Sequence, residues 1–216
     1  MEQLTGIQQF AIWVLPVLFA ITLHEVAHGW VAKLHGDNTA KMMGRLTLNP
    51  LKHIDPIGTV LVPGILFMLG GFIFGWAKPV PVDFKKLRNP KRDMAIVALA
   101  GPLANLLMAI GWALIAKFAI WLSIAYISKP LIFMGYAGIT INLVLMLLNL
   151  LPIPPLDGGR IVAGILPARL EWKFSRIEPY GFFILVALLA TGLLGRILGY
   201  PLFLLQKAML GFAGLL

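Results

Sequence analysis

The sequence predicts an all-α polytopic integral membrane protein of about five or six membrane helices, with one re-entrant segment and a short extended edge-strand segment near a candidate site. Three observations carry this. Of 216 residues, 59% are hydrophobic and only 12% are charged, which is not the balance of a soluble domain. Apolar runs of bilayer length recur, separated by short basic or proline-containing stretches. Cysteine is absent, so disulfides and thiolate ligands are excluded and any metal must use His, Asp or Glu. The net charge of +9 reads as basic cytoplasmic loops facing anionic lipid, with the bilayer and not nucleic acid as partner. The length fits a single membrane-embedded domain over 1–216, with a core over about 10–165 and C-terminal helices over 177–216. The N-terminal MEQLTGIQQ lacks the basic start of a signal peptide, so the first apolar run is expected to be retained.

The first helix is expected from about Gln8 to Leu34. Phe10–Leu23 reads FAIWVLPVLFAITL, with Thr22 its only polar residue, and ITLHEVAHGW (21–30) continues it without a break. His24 and His28 are four residues apart, so on a helix both imidazoles share a face at metal-binding spacing, with Glu25 beside them to take a proton from water. Ionisable groups at bilayer depth are expensive unless paired or bound, and a metal ion is the economical partner for three of them. The bland alternative is a helix end at which His and Glu meet headgroups. At 1.5 Å per residue the site lies about 20 Å into a core of about 30 Å, nearer the exit surface.

Residues 35–59, HGDNTAKMMGRLTLNPLKHIDPIGT, are rich in turn formers and basic groups and read as a loop or interfacial segment. Ile57–Trp76 is apolar but carries Pro63-Gly64 and Gly70-Gly71. It either spans or dips in and returns. Basic groups on both flanks (Lys33, Lys41, Arg45 and Lys52 before; Lys78, Lys85, Lys86, Arg88, Lys91 and Arg92 after) favour the return, because a full span would put them on opposite sides. Residues 77–84, AKPVPVDF, follow. In an extended strand Pro79 and Pro81 close one edge, while Val80 and Val82 leave the other open to one more strand, such as a substrate peptide. A proline-stiffened connector is the equally simple reading.

Asp93–Tyr126 is expected as a span, with Gly101-Pro102 and Asn105 near its start. A short loop at Lys129-Pro130 leads to the next, Leu131–Leu151, in which Asn142 and Asn149 are seven apart on one face turned into the bundle. LPIPPLDGGR then breaks the helix, and Asp157 with Gly158-Gly159 starts a new helix or turn. Residues 160–178 are mixed and basic, hence interfacial. Pro179–Gly199 is the next expected span, and Tyr200–Leu216 a short last span or an interfacial piece.

Two histidines leave a catalytic zinc site one protein ligand short. Asp157 is the best third candidate, since an unpaired carboxylate in that turn would be expensive; its alternative is a cap on the next helix. His53, beside Asp55, is either a fourth or inhibitory ligand, a donor behind the ligands, or a loop histidine at headgroup level.

HEVAH at 24–28, GPLAN at 101–105 and NLLPIPPLDGG at 149–159 together resemble the site-2 protease family of intramembrane metalloproteases. NPLKHIDPIGT at 49–59 and GWAKPVPV at 75–82 look like its compact bacterial subgroup, without PDZ or CBS domains. The resemblance implies one zinc ion per chain on His24, His28 and Asp157, with Glu25 as catalytic base. It implies that Asn105 and Asn149 support substrate or oxyanion, and that the substrate is a transmembrane or membrane-adjacent peptide. It also implies a place in the bacterial inner membrane; if the first helix exits to the cytoplasm and 57–76 returns, 14 of the 18 Lys and Arg are cytoplasmic, which puts the site nearer the cytoplasm. The competing class is a non-proteolytic metal-binding membrane protein, a carrier or inactive adaptor. A membrane enzyme acting on a lipid or small molecule is a third reading, and the family resemblance alone argues against it.

Overall fold

The computed structural model describes residues 5–61, 65 and 78–215. Among these residues it is all-helical, and four helices are long and apolar enough to cross a bilayer: Gly6–Leu34, Pro90–Leu122, Tyr126–Asn149 and Leu193–Ala213. The expected re-entrant run 57–76 falls largely outside the described residues.

Helix α1 (Gly6–Leu34) starts where Thr5 and Gln8 close a capping box: the Gln8 N–H donates to Thr5 Oγ1 (3.3 Å) and the Thr5 N–H to Gln8 Oε1 (2.9 Å). The short α2 (Thr39–Met42) follows. Residues 78–83 have no regular secondary structure and pair with no strand among the described residues; we call 78–88 the strap. Helix α3 (Pro90–Leu122) opens with proline at a position whose N–H would be unused. Helix α4 (Ala125–Asn149) returns antiparallel to it.

Two boundaries differ from expectation. The turn between α3 and α4 lies at Ser123, in the left-handed region (φ 52°), not at Lys129-Pro130. Pro130 is tolerated inside α4 because the carbonyl it leaves unbonded belongs to Tyr126, which is in the first turn and 95% exposed. The expected span 179–199 is broken at Gly192 (φ 71°), where Thr191 Oγ1 also bonds back to the Ala187 carbonyl at 2.7 Å. The result is a short α7 (Gly181–Ala190) and a long α8 (Leu193–Ala213). Between α4 and α7 lie α5 (Asp157–Ile165) and α6 (Ala168–Ser175).

The core is an interface of small residues. Ala109, Trp112, Ala113 and Ala116 of α3 meet Ile139, Leu143 and Met146 of α4, and Ala213 of α8 closes the cluster. Lipid chains are as apolar as Leu, so helices associate in membranes through close packing of small side chains. Phe10, Trp13, Phe19, Leu107, Phe118 and Trp121 point outward. The Arg88 N–H donates to the His35 carbonyl (3.0 Å), so the chain that leaves α1 enters α3 at the same end of the bundle. Because α4 runs back against α3, its C-terminus and α5 lie at that end too. The site is built there.

Candidate metal centre

His24 and His28 are about one turn apart on α1, and their rings stand edge to face with centroids 4.7 Å apart. What aims them is α3. His24 Nδ1 lies 2.6 Å from Asn105 Oδ1, and the Asn105 amide donates to the Ala20 carbonyl (3.2 Å) and to Asn142 Oδ1 (2.9 Å). With its NH2 so engaged, Asn105 can only accept from His24, and the proton therefore sits on Nδ1. Asn142 in turn donates to the Gly138 carbonyl (2.8 Å). His28 Nδ1 donates to the Val97 carbonyl (2.7 Å). Both Nε2 atoms are thereby left as lone pairs facing inward.

Asp157 arrives from the third side as the first residue of α5. The prolines after Leu151 cannot continue α4, and Gly158 lets the new helix fold back on it, since a Cβ there would run into the Leu150 and Leu151 carbonyls. Asp157 Oδ2 lies 3.2 Å from His24 Nε2 and 3.3 Å from His28 Nε2, and the two Nε2 atoms are 3.1 Å apart. Three acceptor atoms thus form a nearly equilateral triangle, with Asp157 Oδ2 buried and without a hydrogen bond. One shared proton could bridge one edge; a cation satisfies all three atoms at once. Tetrahedral zinc with bonds of about 2.0–2.1 Å separates its ligands by roughly 3.3–3.4 Å, so the donor set and its spacing fit that ion. Gly101 of α3 backs the triangle: a methyl group at that position would overlap both imidazoles.

The triangle opens into a cavity of about 400 Å³ lined on the other side by Pro79, Val80, Pro81, Val82 and Phe84 of the strap, and also by Asn149 and Arg160. Glu25 Oε2 accepts from the Val80 N–H at 2.7 Å, so the carboxylate beside the histidines also anchors the strap. Other polar contacts fix the strap's course. The Lys78 N–H donates to the His53 carbonyl (2.9 Å), and Arg45 donates to the carbonyls of Lys52, Lys78 and Pro79. The Asp83 N–H donates to Asp37 Oδ2 (2.7 Å). Burial by itself would raise the Asp37 pKa, but the hydroxyl and N–H of Thr39, the Asp83 N–H and Lys86 outweigh it and hold the carboxyl below its usual range. Among the described residues, the Val80 carbonyl and both backbone groups of Val82 make no hydrogen bond.

The residues singled out in the sequence fall into two groups. His24, Glu25, His28, Asp157, Asn149, Val80 and Val82 line one cavity. Asn105 is fully buried behind His24. His53 is buried in its own loop, where Nε2 donates to the Thr47 carbonyl (2.9 Å), and it is not among the cavity-lining residues. The Val97 carbonyl and Gly101 were not foreseen as parts of the site. Gly101 carried a signal nonetheless, a glycine where the helix interior would otherwise prefer alanine.

The chain matches the family model described as peptidase family M50 over residues 12–126 and 119–192. It is 41% identical to YwhC of Bacillus subtilis, provisionally named a zinc metalloprotease, over 83% of this chain and 80% of that one. It is 34% identical to the similarly named Rip2 of Mycolicibacterium smegmatis, over 83% of this chain and 66% of that one. With Rip2 of Mycobacterium tuberculosis H37Rv the identity is 30%, over 84% and 68%. No solved structure matches at the same stringency.

Proposed function

The chain belongs to peptidase family M50, the site-2 proteases, and from that premise we propose that it is an intramembrane zinc metalloendopeptidase of the HExxH type, cleaving peptide bonds in or next to transmembrane segments. The observation that carries this reading is the triangle of His24, His28 and Asp157, with Glu25 next to it on the same helix and a cavity in front. His24, His28 and Asp157 would hold the zinc, which when bound supplies Lewis acidity toward water and carbonyl oxygen.

The remaining chemistry belongs to the chain's own groups. Glu25 spends one carboxylate oxygen on the Val80 N–H and keeps the other to take a proton from water and return it to the leaving amine. Asn149 donates one amide hydrogen to the Leu145 carbonyl (3.0 Å) and has a second to offer a developing oxyanion. Asn105 acts by holding His24 in its tautomer and not by touching substrate. The Val80 carbonyl and the two backbone groups of Val82 lie on one strand edge, because alternate residues point the same way. An unwound substrate segment adds there as a strand and is held against Glu25.

The Lys78 N–H to His53 carbonyl bond ties the start of the strap to the loop that holds His53. The site's end of the bundle carries the basic groups of the 33–52 and 78–92 stretches, which by the positive-inside tendency makes it the cytoplasmic end, in a bacterial inner membrane. A metal carrier would be expected to space ligand groups along a path, whereas the described residues contain one such group. Glu25→Gln separates the two: the protease reading expects zinc content unchanged and cleavage of a single-span membrane substrate lowered at least about 100-fold. Undiminished cleavage by Glu25→Gln would refute it.

A further inference from the structure

Helix α6 (Ala168–Ser175) has two unlike faces. On one, Glu171 Oε2 lies 2.9 Å from Lys91 Nζ in the first turn of α3, and the same Nζ donates to the Leu166 carbonyl that ends α5. On the other, Arg169, Lys173 and Arg176 follow at i, i+4 and i+7, all exposed and therefore in one stripe. Trp172 (58% exposed) flanks the stripe on one side, with the Arg176 guanidinium 3.6 Å over its ring. Leu170 and Ile177 flank it on the other, also exposed. A surface groove of about 610 Å³ runs along Arg169, Leu170, Trp172 and Lys173. The two acidic residues nearby are engaged elsewhere, Glu171 with Lys91 and Glu178 with Arg160 at 3.8 Å.

The depth of this helix is set by the ion pair. Helix α3 is long and apolar enough to span, and Lys91 stands in its first turn. Glu171 therefore pins α6 at the level where α3 enters the bilayer, with the basic stripe turned away from the protein. A cationic stripe between Trp and aliphatic side chains, at that level, matches a layer of anionic phosphodiester headgroups above acyl chains. We propose that α6 lies in the headgroup layer and binds anionic phospholipid through Arg169, Lys173 and Arg176. Since α6 follows α5 across only Leu166 and Pro167, the lipid contact also steadies the helix that carries Asp157.

The proposal rests on α3 as a membrane span and not on proteolysis, so its test reads lipid and not cleavage. The full chain is placed in nanodiscs of mixed phosphatidylglycerol and phosphatidylcholine, and the lipids retained on release are counted by native mass spectrometry. Each basic group near an anionic surface contributes about fivefold. Wild type should retain phosphatidylglycerol preferentially, and R169Q/K173Q/R176Q should lower that preference more than tenfold. The charge-matched K41Q/K85Q/K86Q should lower it less. Excess inorganic phosphate should not displace the lipid. An unchanged preference in the α6 variant, an equal loss in the charge-matched one, or displacement by phosphate would overturn the proposal. Should the triple variant fail to reconstitute, the three single variants are read instead, each expected to lose several-fold.

Discussion

On one wall of the cavity, His24, Glu25 and His28 come from five consecutive residues of a single helix. On the other, Val80 and Val82 belong to a strap held by Glu25, Asp37, Arg45 and His53, contacts that reach back between 25 and 55 residues in sequence. On the first wall the spacing is local: helical pitch alone brings the two imidazoles to one face, and Asn105 and the Val97 carbonyl, buried behind them, then fix the tautomers of His24 and His28 respectively. The second is written by long-range polar contacts shared among four anchoring residues. The metal wall should therefore fail sharply when touched, and the strap should fail by degrees.

The largest effect on zinc from a single added methyl group is expected at Gly101. Gly101→Ala pushes on both imidazoles, so zinc content should fall to background while far-UV circular dichroism still reports a helical protein. Asn105→Ala removes the acceptor that holds His24 Nδ1–H and should weaken zinc affinity by about 10- to 100-fold, measured by competition with a chelator. Asp37→Asn acts on the strap and should raise KM a few-fold with kcat and zinc content nearly intact. It carries a pH signature as well. The folded-state pKa of Asp37 lies below its ordinary value, so its contribution to stability is complete above the ordinary carboxylate range and is lost as pH falls through the lowered value. Thermal unfolding against pH should show that acid limb in wild type and a shallower one in Asp37→Asn. Should Asp37→Asn lose zinc as readily as Asn105→Ala, the contrast between the walls would fail.

What the sequence conveys follows the same division. The i, i+4 histidines inside an unbroken apolar run, the proline break before Asp157 and the glycines after it are all local signals, and the structure places them as a single site. Asn105 was visible as a polar residue in an apolar helix, but its bond to His24 spans 81 residues, and no local pattern encodes that. The Val97 carbonyl has no side-chain signature at all. Near the C-terminus the helix boundary was misplaced because residues 181–213 are almost uniformly apolar, and hydropathy gives no register there. Thr191-Gly192 was the available turn signal. The proline pair in the strap indicated an extended course, but its anchoring by Glu25 needed the fold.

The central claim is that the buried triangle holds a metal ion, and the most direct test is elemental mass spectrometry of the detergent-purified chain beside Asp157→Ala. Removing Asp157 takes away two edges of the triangle and leaves two neutral imidazoles, too few for a stable zinc site. The expected result is about one zinc per chain in wild type and little in the variant. Wild type without stoichiometric metal after gentle purification, or a variant that retains its zinc in full, would contradict the account.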